Sequence, residues 1–148
     1  MNCEAHRLSL HAWRLGRLLI AVLSVVLFPH LARPDSARVI EILADHDSRY
    51  KIGGQTSPTI TVHAGEPLTI RITAIKAKNK NRNGSIHGFT LLRQKERLRV
   101  PGWDFELKPG LQEFALMAPA EPGDYIIVCT VICGPEHESM NMRFVVLP

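Results

Sequence analysis

Residues 124–147 read DYIIVCTVICGPEHESMNMRFVVL. The segment opens with Tyr125-Ile126-Ile127-Val128, an apolar run bounded upstream by the turn residues Pro122-Gly123. Such a run predicts a β-strand, and its lack of alternation predicts a central strand buried on both faces. A second segment rich in apolar and β-branched residues, Met142 to Leu147, predicts the next strand. Between the two, Gly134-Pro135 interrupts regular structure. The twelve residues from Cys129 to Met140 also hold Cys133 and His137. The C-terminal end therefore reads as a loop of sulfur and imidazole side chains held between two strands.

Upstream the same punctuation repeats. Strands are predicted over residues 38–43, 59–62, 68–73, 86–91, 103–107 and 112–117, ahead of those over 124–129 and 142–147. Leu68-Thr69-Ile70-Arg71-Ile72-Thr73 alternates strictly, which places its apolar side chains on one face. Gly53-Gly54, Gly65-Glu66-Pro67, Pro101-Gly102, Pro109-Gly110 and Pro119 to Gly123 separate the runs. Short strands at this spacing define an all-β chain, expected to fold as a Greek-key β-sandwich or barrel. Residues 34–58 then hold a linker and the first strand, and 59–148 the main domain, with 38–58 part of the same sandwich. The basic segment 76–82 reads as a solvated loop between strands.

The loop carries the chemistry. Soft sulfur combined with imidazole is a ligand set for copper or for zinc. Zinc favours four strong ligands in a tetrahedron, whereas a thioether is a weak axial donor to copper, so Met140 tilts the choice to copper. A second imidazole is available at His87, within Ser85-Ile86-His87-Gly88-Phe89. A single blue-copper ion takes one Cys, two His and a weak axial ligand, which leaves one cysteine over. Two cysteines four positions apart can instead bridge a pair of coppers. Each copper then gains one imidazole, with Met140 sulfur and a loop carbonyl, that of Val131, as weak axial donors.

The pattern C-x-x-x-C-G-x-x-H-x-x-M, with His-Gly-Phe upstream, resembles the CuA domain of cytochrome c oxidase subunit II. It is also similar to the CuA domain of nitrous-oxide reductase. The resemblance covers roughly residues 59–146, including Asp104 to Gly110 and Pro122-Gly123-Asp124-Tyr125. It implies a cupredoxin-like fold and a binuclear copper centre, with Cys129 and Cys133 bridging and His87 and His137 each capping one ion. Met140 and the Val131 backbone carbonyl are then axial. The resemblance further implies one-electron transfer from a cytochrome c or a small copper protein toward haem-copper oxidase subunit I, with no catalysis by this chain alone. Two departures stand out. Many oxidase subunits have a Glu at the Val131 position, reaching the interface with subunit I. The aromatic cluster that admits electrons ahead of the domain is also missing, and residues 53–58 occupy that neighbourhood. Trp103 is a candidate substitute, although a tryptophan buried in the sandwich is the plainer reading.

The 148 residues have a formal net charge of +4. Residues 1–33 hold four arginines against Glu4, so the remainder balances 14 basic against 13 acidic side chains. A body so near neutrality lacks the electrostatic footprint of a nucleic-acid binder. Residues 1–17 are basic and Leu18 to Phe28 is uninterrupted apolar sequence, the layout of a secretory n-region and h-region. That run is shorter than the about 17–25 residues of a membrane helix, yet His30-Leu31-Ala32 sets a histidine where a signal peptidase needs a small residue. A cleaved signal peptide and a retained single anchor helix both stay open for residues 1–33. Either one puts the body on the periplasmic side of a bacterial inner membrane.

Several blander readings compete. Cys129 and Cys133 in an exported chain are close enough for a disulfide, but a disulfide leaves the spacing of His137 and Met140 without a reason. Cys3 precedes the apolar run and is no lipoprotein cysteine. Asp45-His46-Asp47 reads as a solvent-exposed polar turn, and His63 as the end of a strand. No Ser-His-Asp order or carboxylate pair points to hydrolysis. Two functions follow from the residues: an electron-transfer module, or a copper-handling protein that delivers copper for oxidase assembly or copper homeostasis.

Overall fold

The computed structural model describes residues 37–75 and 81–148. Its strands are β1 (Arg38–Ala44), β2 (Tyr50–Ile52), β3 (Gln55–Thr56), β4 (Ile60–His63), β5 (Pro67–Ala74), β6 (His87–Arg93), β7 (Arg99–Leu107), β8 (Gly110–Met117), β9 (Gly123–Val128) and β10 (Asn141–Leu147). They form two sheets, in the orders β3-β2-β1-β5-β8 and β4-β10-β9-β6-β7. The β1–β5 and β4–β10 pairs are parallel and the rest are antiparallel. A 3-10 turn, His137–Ser139, lies between β9 and β10.

The alternation read in residues 68–73 is what packs the first sheet. Leu68, Ile70, Ile72 and Ala74 of β5 point inward beside Ile40, Ile42 and Ala44 of β1. On the outer face Arg71 lies between Glu41 and Glu113. The second sheet answers with Phe89, Leu91, Tyr125, Ile127, Met142, Phe144 and Val146. Trp103 of β7 sets its ring edge against Phe144, with centroids 5.3 Å apart, and donates from Nε1 to Met117 O at 3.1 Å. Phe105 stacks on Phe114 at 4.1 Å, so one aromatic stack and the Trp103 hydrogen bond to Met117 link β7 to β8 across the two sheets. Trp103 is 3% exposed and is thus a packing residue of the core.

Every strand expected from the sequence is present, and the architecture is the expected two-sheet sandwich. Two details differ. β9 is not buried on both faces: Tyr125 and Ile127 are inside, while Ile126 and Val128 are half-buried. The doubly covered strand is β6, buried from His87 to Leu92, because the chain leaving β9 crosses onto β6 and covers its outer side. The second difference is the short hairpin β2–β3. It turns at Gly53 and Gly54, whose φ values of 55° and 82° suit the tight turn, and its strands are too short to show a period.

Among the described residues no helix is long and apolar enough to cross a membrane. The apolar run of residues 18–28, read as a signal or anchor, lies outside the described residues, as do residues 76–80 of the basic segment 76–82.

Candidate metal centre

The loop between β9 and β10 is closed at its base, where Cys129 N–H donates to Met140 O at 3.1 Å. Within it, His137 N–H donates to Gly134 O and Met140 N–H to His137 O, both at 3.1 Å. These turns bring the side chains to one point. Cys133 Sγ lies 3.7 Å from Cys129 Sγ, 3.8 Å from Met140 Sδ and 3.9 Å from His137 Nδ1. The Val131 carbonyl oxygen is 3.1 Å from Cys129 Sγ. β6 contributes His87, and the ligand atoms of His87, Cys129 and Cys133 all lie within 4.8 Å of one another. The six groups singled out in the sequence therefore gather in one place. His87, Cys133 and Met140 are buried there, and His137 is half-buried.

His87 shows most directly what the place is suited to. Its Nε2 is 3.1 Å from Ile75 O. A carbonyl only accepts, so Nε2 carries the proton and Nδ1 is left with a bare lone pair. Among the described residues Nδ1 is the one buried side-chain nitrogen or oxygen without a hydrogen-bond partner. Such an orphan costs about 1–3 kcal/mol. A ring fixed through one nitrogen to a carbonyl, with the other bare and facing sulfur, is the arrangement of a metal-binding histidine. Two thiols, a thioether, two imidazoles and a carbonyl match the soft, mixed donor set of copper.

The support around the sulfurs is equally specific. Gly88 N–H donates to Cys129 Sγ at 3.1 Å, and Gly88 O accepts from the buried Tyr50 hydroxyl at 2.5 Å. A Cβ at position 88 would stand 2.5 Å from both Thr130 N and Thr130 Oγ1, so the ligand loop rests directly on the glycine. Thr130 Oγ1 lies 3.0 Å from Thr90 Oγ1, which donates to Asp104 at 2.6 Å. The hydrogen bond from Cys129 draws the Cys133 thiol well below the usual thiol range, with Ser48 and His137 acting in the same direction against burial. Cys129 is pushed up, chiefly by that same bond and then by burial.

The β1–β2 turn closes the other side. Ser48 N–H donates to Asp45 O, and Asp45 N–H to Arg49 O. Ser48 is buried with its Oγ 3.4 Å from Cys133 Sγ, and the Arg49 guanidinium donates to Ser139 Oγ. The polar turn expected at Asp45-His46-Asp47 is present with His46 and Asp47 exposed, but Asp45 is buried, bonded to Lys51 Nζ at 2.5 Å and to His46 N at 2.7 Å. The Lys51 hydrogen bond, aided by His46 and opposed by burial, holds the Asp45 carboxyl at about 2 against an ordinary 3.8. Because the folded value is the lower one, the stability contributed by Asp45 is full above about pH 4 and is lost as pH falls through about 2. Urea titrations should accordingly show Asp45→Asn less stable than the parent at neutral pH, with the difference shrinking below about pH 4. A difference independent of pH would place the effect elsewhere than in the carboxylate. Ser48, Arg49, Tyr50 and Thr90 carry no local sequence signal of their place at the site; only Gly88, beside His87, sits in a quoted motif.

This architecture is cupredoxin-like. Solved structures similar to it include sodium-dithionite-reduced auracyanin from the photosynthetic bacterium Roseiflexus castenholzii, with a TM-score of 0.51 and 19% identity over 76% of this chain and 98% of that one. Auracyanin A, a "blue" copper protein from Chloroflexus aurantiacus, is similar with a TM-score of 0.50 and 22% identity over 76% of this chain and all of its own. The likeness is one of fold. No protein-family model and no curated protein matches the sequence.

Proposed function

We propose that this chain is a copper-binding electron-transfer protein with a binuclear, CuA-type centre. His87, Cys129, Cys133, His137, Met140 and the Val131 carbonyl would hold the copper pair. The observation that carries the reading is the pair of buried sulfurs 3.7 Å apart, faced by the unpartnered Nδ1 of His87. A single blue-copper ion would use one thiolate and leave the other buried cysteine without a task. Copper bound there supplies one-electron chemistry, with the change of charge shared between two ions.

The rest is the work of the chain. Gly88 N–H and the loop's backbone bonds fix the sulfurs before any metal arrives. Burial of His87, Cys133 and Met140 keeps water away from the donors, so little around the site has to reorganise when an electron comes or goes. His137, half-buried beside an open cleft lined by Leu92, Arg97, Arg99 and Glu138, is the ligand through which a partner would couple. The partner is a cytochrome c or small copper protein as donor, and a haem-copper oxidase subunit I or another acceptor onward. Export by residues 1–33, as signal peptide or anchor, would place the exchange on the periplasmic face. Valine at position 131 retains the carbonyl and offers no carboxylate toward a second subunit, which suits a freestanding relay as well as an oxidase subunit II. A copper-delivery role fits less well, because delivery favours exposed ligands.

Copper stoichiometry and electron paramagnetic resonance of the reconstituted full chain test this. The expected result is two coppers per chain sharing one unpaired electron, with the shared signal abolished in Cys129→Ser and in Cys133→Ser. One copper with a localised signal would overturn the binuclear reading in favour of a blue-copper or delivery protein. No copper at all would reduce the chain to a thiol-bearing sandwich.

A further inference from the structure

Besides His87, which lies close to both sulfurs, each sulfur has a hydrogen-bonding neighbour from outside the loop, and the two neighbours differ in kind. Cys129 Sγ receives a backbone N–H, that of Gly88. Cys133 Sγ has a side chain, the Ser48 hydroxyl at 3.4 Å, which arrives from residues 85 positions away in sequence. Ser48 is only 4% exposed and has a φ of 57°, in the left-handed region that a non-glycine residue rarely adopts. A strained conformation persists only where the surroundings hold it. Here they do: Ser48 N–H donates to Asp45 O at 3.1 Å, Asp45 N–H to Arg49 O at 2.9 Å, and Lys51 pins the Asp45 carboxylate. Arg49 then fastens the far side of the ligand loop through Ser139 and lies 3.8 Å from Glu136.

We propose that Ser48 is a positioning residue that tunes the sulfur donor, its hydroxyl donating to Cys133 Sγ and so setting the reduction potential of the metal bound there. The inference rests on the copper reading above and adds a determinant outside the ligand set. A hydrogen bond to a thiolate withdraws electron density from the sulfur, which weakens its donation and disfavours the more positive, oxidised metal. Losing the bond therefore lowers the potential. The donor to Cys129 is a backbone N–H that no change of side chain short of proline removes, whereas the Ser48 donor is a side chain, so one of the two sulfurs is adjustable by a single side-chain substitution.

The test uses two variants of the full chain. Ser48→Ala removes only the hydroxyl and keeps the Cβ, while Ser48→Gly removes the whole hydroxymethyl group but accepts the left-handed φ more readily than serine. Both are expected to bind the parent amount of copper and to shift the potential downward by an equilibrium factor on the order of ten, or ~59 mV for one electron. In parallel, each chain is loaded with cadmium, which binds thiolates without redox chemistry. The sulfur-to-cadmium charge-transfer band should move to longer wavelength in both variants. Unchanged potential and unchanged band in both variants would overturn the assignment, as would a shift in Ser48→Ala alone, which would trace the effect to backbone strain. If copper fails to bind even the parent, the copper reading falls, and the cadmium band still decides whether Ser48 bonds the sulfur.

Discussion

Gly88→Ala is expected to weaken copper binding about 10–100-fold, the range seen when groups supporting metal ligands are lost, and to destabilise the metal-free chain by about 1–3 kcal/mol. The sign is the informative part. Glycine-to-alanine changes at compatible positions usually stabilise by about 0.4–1 kcal/mol, because the unfolded chain loses freedom. Here the added methyl would lie 2.5 Å from Thr130 N and Oγ1 and 3.1 Å from Val131 N, and two of those three contacts are with backbone. Backbone cannot swing away as a flexible side chain can, so the loop must lift. Lifting it stretches the Gly88 N–H bond to Cys129 Sγ and displaces the Val131 carbonyl together with both cysteines. A competition titration with a copper chelator, paired with urea unfolding of the metal-free chain, measures both effects. Parent-like affinity and stability in Gly88→Ala would mean that the loop is not seated on β6.

The second large effect belongs to the core. Phe144→Ala should cost about 3–5 kcal/mol, as removing a fully buried phenylalanine does, against a total of about 5–15 kcal/mol for a typical domain. Phe144 is completely buried in β10, paired with Tyr125 on one side and Ile60 on the other, and Trp103 rests on its ring. A cavity there loosens three strands of the second sheet together and frees the residue that ties β7 to β8. The denaturant midpoint should fall steeply, whereas Ile132→Ala, at a loop position 65% exposed, should stay within about 0.5 kcal/mol of the parent. Similar losses in the two variants would show that the packing described around Phe144 does not carry the sheet.

What could be read from the residues, and what could not, divides by distance along the chain. The strands were legible because alternation, as in residues 68–73, is a local property, and because Gly and Pro mark where it stops. The loop from Cys129 to Met140 was legible for the same reason: its donors lie within one turn-rich segment and their spacing is itself the signal. His87 was reachable only indirectly, as the second imidazole that a copper site calls for and through the resemblance of its His-Gly-Phe setting. Ser48 and Tyr50 were not reachable at all. Nothing near them distinguishes a serine that meets a sulfur 85 positions later, or a tyrosine whose hydroxyl holds the Gly88 carbonyl, from ordinary turn and strand residues. The double burial expected of residues 125–128 fell to β6 for a related reason. An apolar run reports that a strand is covered, but the path of the following loop decides which neighbour receives the cover.

The bond from Cys129 N–H to Met140 O shuts the loop at its base, but the loop alone does not complete the donor set. His87 and Ser48 reach the loop only once β6 and the β1–β2 turn have docked, so the complete set of donors is a property of the folded chain. On the copper reading proposed above, metal affinity and folding are therefore coupled. Until metal occupies them, the two free thiols 3.7 Å apart are open to oxidation to a disulfide, so the yield of loaded protein would depend on thiol redox state as well as on folding.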